Sequence, residues 1–217
     1  MATNNNINNA TGSLTIDPGA SGDSWLQYDI NATNEWRMGV DDDDGDAFKI
    51  SQGNALGTND TFTMTPNGER RLPLNPAFAA RLSVDEHNVT GAGATHQIGS
   101  TSGFTEIFDQ GSNFNTNGTF TAPITGRYFI SGYINVGGLT SSMTTGLVEI
   151  EAVSRNWQSN VINAGNMKSV NDELTFNFSS LIDMDAGDFA NISITISNGA
   201  SNGADIFSTY FTGWLAV

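Results

Sequence analysis

The 217-residue chain has no cysteine, which excludes a disulfide framework, a thiolate metal site and a cysteine nucleophile. Basic residues are scarce: 8 Lys and Arg stand against 23 Asp and Glu, a formal net charge of -15. A surface this negative repels phosphate backbones and anionic headgroups, so neither nucleic acid nor a membrane surface is an expected partner. Cations, neutral glycans and basic protein surfaces stay open. Charged residues of both signs make up only 14% of the chain, too few for long helices with Glu- and Lys-rich faces. No apolar run approaches the ~20 residues of a membrane span, so insertion is not expected. The opening MATNNNINNA lacks the basic end and apolar core of a secretory signal, and the expectation is a chain with no export signal of its own.

What the chain does contain is 24 glycines, abundant Asn, Ser and Thr, and 10% aromatic residues. That mixture describes short strands joined by tight turns. Repeated apolar alternation argues for packed β structure rather than disorder, and the expected fold class is all-β.

Three parts follow from the pattern. Residues 1–12 are Asn-rich with Ile7 the one large aliphatic residue after Met1, and read as a flexible arm. Residues 13–74 read as a first β unit. Ser13 to Asp17 alternates before a Pro18-Gly19 turn, and Trp25–Ile30 and Glu35–Val40 follow, with Trp36, Met38 and Val40 on one face. The acidic loop Asp41–Asp46 precedes Ala47–Ile50 and then Thr61–Thr65. So small a unit cannot by itself hide Trp25, Trp36, Phe48 and Phe62, and a second chain is expected to do so. Pro73 and Pro76 interrupt ladder bonding and mark the boundary. Residues 75–217 read as a second unit of many short strands, a sandwich or jelly roll whose last strand lies inside a sheet.

The stretch IFDQGSNFNTNGTFTAPITGRYFISGYINV, residues 107–136, resembles the globular head of complement component 1q, within the tumour-necrosis-factor-like jelly-roll superfamily. The marks are Phe114, Gly118 to Pro123 and Gly126-Arg127-Tyr128-Phe129. Ala77-Phe78-Ala79-Ala80 is similar to the family's opening strand, Leu181 through Gly187-Asp188 to Ile192 to its stretch of a leucine, then Gly-Asp, then an aliphatic strand, and Ser208–Leu215 to its closing strand. Two departures stand out: Ile130 and Gly132 occupy positions where the family has aromatics, and the spacing before Phe120 is one residue short. The resemblance implies a C-terminal jelly-roll head that is trimeric. Phe120, Tyr128 and Phe211 read as core or subunit-contact aromatics, Gly126 as a residue of a tight turn, and Pro123 as an edge-strand residue. Residues 20–72, with Gly22-Asp23, Trp36-Arg37-Met38-Gly39-Val40-Asp41, Asp46–Ser51 and Thr65-Pro66-Asn67-Gly68, resemble a module found ahead of the terminal domains of phage tail-fibre and related virion proteins. That likeness implies a trimeric β stem.

Candidate chemistry is sparse. Asp41-Asp42-Asp43-Asp44-Gly45-Asp46 offers hard oxygen ligands, and Asp41, Asp43 and Asp46 are the candidate ligands for Ca2+. The Glu that closes a calcium loop is missing, and the alternative is a solvated hairpin turn with Asp44-Gly45 as its type I′ pair. Heads of the complement family often hold calcium near the trimer apex, but the resemblance places none on particular residues here. His87 and His96 have no zinc spacing, and no serine sits in a nucleophile elbow. Glu149 and Glu151 share one strand face, as an outward solvated pair or, in the alternative, as the paired carboxylates of a glycosidase. Trp157, flanked by Arg155 and Asn156 in a polar, loop-like run, is either a sugar-stacking residue or a core cap.

Together these readings imply a non-enzymatic, homotrimeric phage virion surface protein, either a fibre or spike or a capsid fibre or decoration protein. It would be made in the host cytoplasm and displayed on the virion surface. Residues 1–12 and the stem would contact other virion proteins, and the head's apex loops would bind a host-surface glycan or protein. A free bacterial lectin-like module and a small polysaccharide hydrolase are the alternatives.

Overall fold

The computed structural model describes residues 15–19, 21–30, 34–153 and 156–217. The arm at residues 1–12 lies outside the described residues. The chain divides into two compact units, Met1–Leu74 and Asn75–Val217.

The first unit is an antiparallel meander in which each strand pairs with the next: β1 (Ser24–Ile30), β2 (Asn34–Asp41), β3 (Ala47–Gln52), β4 (Asp60–Met64) and β5 (Arg70–Arg71). Thr15–Asp17, expected as a strand, is not one. The Asp17 carboxylate instead accepts the Gly19 N–H at 2.8 Å, so the side chain takes the backbone into a turn. Register fixes two unlike faces. Leu26 stands opposite Met38, Tyr28 opposite Trp36, and Phe48 opposite both Val40 and Met64, so the apolar side chains align on one side. The other side carries Gln27, Arg37, Lys49, Ser51 and Thr63. Trp25 belongs to this second side, apart from Trp36, with the Arg37 guanidinium 4.1 Å above its ring.

The second unit is a sandwich of two antiparallel sheets. Its strands are β6 (Ala77–Leu82), β7 (Glu86–Thr90), β8 (Thr95–Gln97), β9 (Phe104–Gln110), β10 (Phe114–Asn115), β11 (Thr119–Thr121) and β12 (Gly126–Gly137). They continue with β13 (Thr145–Ala152), β14 (Asn156–Ile162), β15 (Leu174–Met184), β16 (Phe189–Ser197) and β17 (Ala204–Leu215). One sheet runs β15-β12-β17-β6-β9 with β7 added beside β17, and the other β10-β11-β16-β13-β14 with β8 added beside β16. This is a jelly-roll sandwich, and β17 lies between β12 and β6 as an interior strand.

The alternating strand pattern drives one face of each sheet into a shared core. Val148, Ile150, Ile192 and Ile194 from one sheet meet Ile130, Ile134, Phe176 and Phe211 from the other. Phe78 is its aromatic centre, stacked on Phe114 at 4.6 Å and Phe120 at 4.9 Å and edge-on to Phe211 at 5.0 Å. Phe120, Tyr128 and Phe211 are fully buried, and the Tyr128 hydroxyl donates to the Ile124 carbonyl at 2.8 Å.

Several local expectations are revised. Gly126 is the first residue of a strand rather than part of a tight turn. Glycine is required there because a Cβ would lie 2.6 Å from Leu215 Cδ1 and 2.9 Å from the Val217 carbonyl. Pro123 sits in the bend between β11 and β12, outside any strand. The departure at Gly132 has a similar steric cause: β17 passes so close that a Cβ would come within 2.0 Å of the Tyr210 carbonyl oxygen.

Candidate functional site

The acidic loop is built as one turn of 3-10 helix, Asp42–Asp44, closed by Gly45 in the left-handed region (φ 62°). It is not the two-residue turn expected of Asp44-Gly45. The register that pairs Asp41 with Ala47 leaves five residues to bridge, and Asp41 caps the turn by accepting the Asp43 N–H. The same folding buries Lys49, which is 3% exposed. Its ammonium reaches Asp41 at 2.8 Å, Asp44 at 2.7 Å and Asp60 at 3.3 Å. Burial pulls the Lys49 pKa down, and the three carboxylates more than reverse this, holding it above the ordinary lysine value. Of the candidate calcium ligands, Asp41 is therefore committed to an internal cation, while Asp43 and Asp46 are exposed. Among the described residues no group of three or more His, Asp or Glu side chains is arranged to hold a metal ion.

Glu86, read from sequence as part of a polar loop, opens strand β7 and is buried. Oε1 accepts from the Thr101 N–H (3.1 Å), the Ser102 N–H (3.0 Å) and the Ser102 hydroxyl (3.1 Å). Oε2 accepts from the Gly99 N–H at 3.3 Å and is paired with His96 Nε2 at 2.7 Å. Burial pushes the Glu86 pKa up, but His96 and the backbone donors of Ser102 and Gly99 outweigh it and hold the carboxyl at about 2. One buried carboxylate thus ties β7 to β8 and to the Gly99–Gly103 loop. His96 is spent on this structural pair, and His87 lies 3.5 Å from Asp205 on the surface.

The two ends of the sandwich differ. At the end where Asn75 enters, the Asn75 amide donates to the Leu215 carbonyl (3.2 Å) and the Arg127 N–H to the Val217 carbonyl (2.8 Å). A cleft of about 470 Å3 lies there, with Arg127, Asp183 and Asp188 in its wall. Asn156 and Trp157 belong to this end as well, because Ala152 pairs with Ala190 and the Ala122 N–H donates to the Asp188 carbonyl. Trp157 is on strand β14 opposite Ile150, half-buried and packed against the core, so of its two readings the geometry matches the core cap. Arg155 lies outside the described residues. Glu149 and Glu151 point outward from β13 and are engaged by Gln158 (3.4 Å) and the Ser193 hydroxyl (2.7 Å).

The opposite end gathers the loops 91–94, 138–144, 163–173 and 198–203. They are cross-tied by Gly199 N–H to Gly91 O (2.9 Å), Leu139 N–H to Asp172 O (3.0 Å) and Gly165 N–H to Met143 O (2.7 Å). Val170, at the tip of the 168–173 turn, is 99% exposed.

A third surface is the outer face of the β15-β12-β17-β6-β9 sheet. Cross-strand pairing sets Phe129 against Trp214 with ring centres 4.7 Å apart, and Tyr133 against Tyr210 at 5.2 Å. Leu181 and Phe108 extend this stripe on the neighbouring strands, and both are exposed, as are Tyr210 and Trp214. Sequence alternation announces these residues as outward-facing, but only the pairing register places the rings side by side.

No family model matches the chain, and no curated protein matches it. Among solved structures it is similar to the globular domain of zebrafish complement 1qA protein, at 14% identity and a TM-score of 0.43, over 66% of this chain and 98% of that one. It is also similar to the PRD1 vertex protein P5, at 16% identity and a TM-score of 0.46, over 65% of this chain and 97% of that one. Murine APRIL follows at 11% identity and a TM-score of 0.38, over 64% of this chain and 98% of that one.

Proposed function

We propose that the protein is a non-enzymatic virion surface protein of a phage, self-associating as a homotrimer and binding a host-surface glycan or protein through the head. The observation that carries the self-association is the aromatic stripe Phe129, Trp214, Tyr133 and Tyr210, extended by Leu181 and Phe108, on the outer face of the sheet. Clustered aromatics left exposed or only half-buried on an outer sheet face have the composition of an interface core, and they are costly to leave in water. The cross-tied loops 91–94, 138–144, 163–173 and 198–203 are the binding end in this reading, because the other end receives the chain from Asn75. That choice moves the ligand site away from Arg155, Asn156 and Trp157. The virion assignment is supported by the likeness of residues 20–72 to phage fibre modules. In it, residues 1–12 and the stem attach the protein to the particle.

Light scattering on the purified chain tests the assembly, with and without chelator. The expected mass is three chains, falling to one in a Phe129→Ser/Trp214→Ser variant. A wild-type mass of one chain across the accessible concentration range overturns it. Co-purification with intact particles tests the location, and release of reducing sugar from host polysaccharide would overturn the non-enzymatic reading.

A further inference from the structure

In the sheet of the first unit the buried side chains of one face are polar, and the other face is apolar and open. On the first of these faces Lys49, Ser51 and Thr63 are buried, and Gly57 of the β3–β4 loop packs so closely that a Cβ there would meet the Asp41 carboxylate at 2.8 Å. On its open side Leu26, Tyr28, Ile30 and Trp36 are 41%, 58%, 65% and 41% exposed. Among the described residues, Ala47 and Leu56 are the unit's only buried hydrophobics. A folded domain normally hides its large apolar side chains and leaves Lys and Thr to water. Here the arrangement is reversed, and the unit has no apolar core until something closes the open side.

We propose that this apolar face is an interface between copies of the chain, the faces of the three copies turned inward to meet one another. This rests on the self-association proposed above, which would hold the first units of neighbouring copies together at high local concentration. Three observations favour a second copy over other occupants. First, the face must be covered whenever the unit is folded, which calls for a partner always present in equal amount. Second, residues 1–14 offer only Met1, Ile7 and Leu14 as large apolar side chains, too few to cover it. Third, the aligned rows of β1 to β4 carry no Asp or Glu among the described side chains, so two chains of net charge -15 can meet there without opposing carboxylates. The area is of the right size. The four most exposed side chains leave on the order of 400 Å2 open, and half-buried Met38, Phe48, Ile50 and Phe62 extend the patch toward the roughly 800 Å2 per partner of a stable interface.

The absence of cysteine makes the test clean. Tyr28→Cys places a single thiol on the apolar face, and Gln27→Cys places one on the opposite face of the same strand. Both are made in the full chain, and the native mass of each is measured in parallel. In an oligomeric preparation, the thiol at position 28 should be alkylated by a bulky maleimide at least ten-fold more slowly than that at position 27. A short thiol-to-thiol cross-linker should give covalent dimers at position 28 and not at position 27. Equal alkylation rates in an oligomer overturn the interface while leaving self-association through the second unit intact. Protection at position 28 without chain-to-chain cross-linking overturns it too, by showing that another segment or molecule covers the face. A monomeric mass overturns both this interface and the association on which it rests. Ile30→Cys repeats the experiment should Tyr28→Cys fail to fold.

Discussion

Replacing Glu86 by Gln keeps the shape of a buried side chain and removes its charge. One carboxylate oxygen becomes an NH2 group facing donors: either the N–H and hydroxyl donors on Oε1, or the Gly99 N–H and His96 on Oε2. A donor then faces donors, and the surviving hydrogen bonds lose their charge assistance. The size follows from the shifted carboxyl. A pKa falling from 4.5 to about 2 on folding corresponds to about 3 kcal/mol of stabilisation at neutral pH. At about 3 °C per kcal/mol for a domain of this size, Glu86→Gln should lower the melting temperature of the second unit by roughly 10 °C at pH 7. The sign with pH is fixed as well. Because folding depresses the pKa, this stability is complete above about pH 4.5 and disappears as the pH falls toward 2. Calorimetry on wild type and variant at pH 7 and at steps down to pH 2.5 reads both effects, and the two melting temperatures should converge in acid. A variant that melts within 2 °C of wild type at pH 7, or a gap that does not narrow in acid, would refute the carboxylate as the tie between β7, β8 and the Gly99–Gly103 loop.

Lys49→Met should destabilise the first unit by about 3–5 kcal/mol, since Asp41 and Asp60 are left near each other without their cation; thermal melts of that unit measure it. Asp43→Asn, on the exposed turn, should change melting by less than about 0.5 kcal/mol, and a loss seen only when calcium is present would show that the loop holds a cation after all. Gly126→Val should destabilise the second unit by at least about 1–3 kcal/mol, because the new side chain collides with the Val217 carbonyl; a soluble variant with wild-type melting contradicts the close approach. Deleting residues 1–12 should spare self-association and abolish particle attachment, and loss of the oligomer in light scattering would make the arm part of the assembly instead.

The exposed features divide by the work assigned to them. In the proposed reading, the aromatic stripe on the second unit and the apolar face on the first are surfaces for copies of the chain. The cross-tied loops at the far end are the binding end in the proposed reading, and Val170 among them is almost fully exposed. The buried charges serve neither purpose. Within the fold Lys49 is paired with three carboxylates and Glu86 is hydrogen-bonded by His96 and nearby N–H and hydroxyl donors, as a buried ion requires, and they fix loop shape rather than chemistry.

What the sequence by itself determined is what a strand records locally. The two-residue period picks out β12, β13, β16 and β17 and the inward set of Phe120, Tyr128, Ile150 and Phe211, because alternate side chains of one strand go to opposite faces whatever it pairs with. Composition together with repeated apolar alternation announced the all-β class. What only the tertiary structure decided is which groups from distant parts of the chain meet. Lys49 looks like any outward strand lysine until the β3–β4 register brings Asp60 beside it. Glu86 looks like a solvated loop acid until the Gly99–Ser102 backbone turns its N–H groups toward it. Trp157 sits in a polar run that reads as a loop, and its pairing with Ile150 packs it, half-buried, against the core. The open apolar side of the first sheet was legible as alternation, but its reversal was not, because alternation says that two faces differ and never which of them the rest of the molecule will cover.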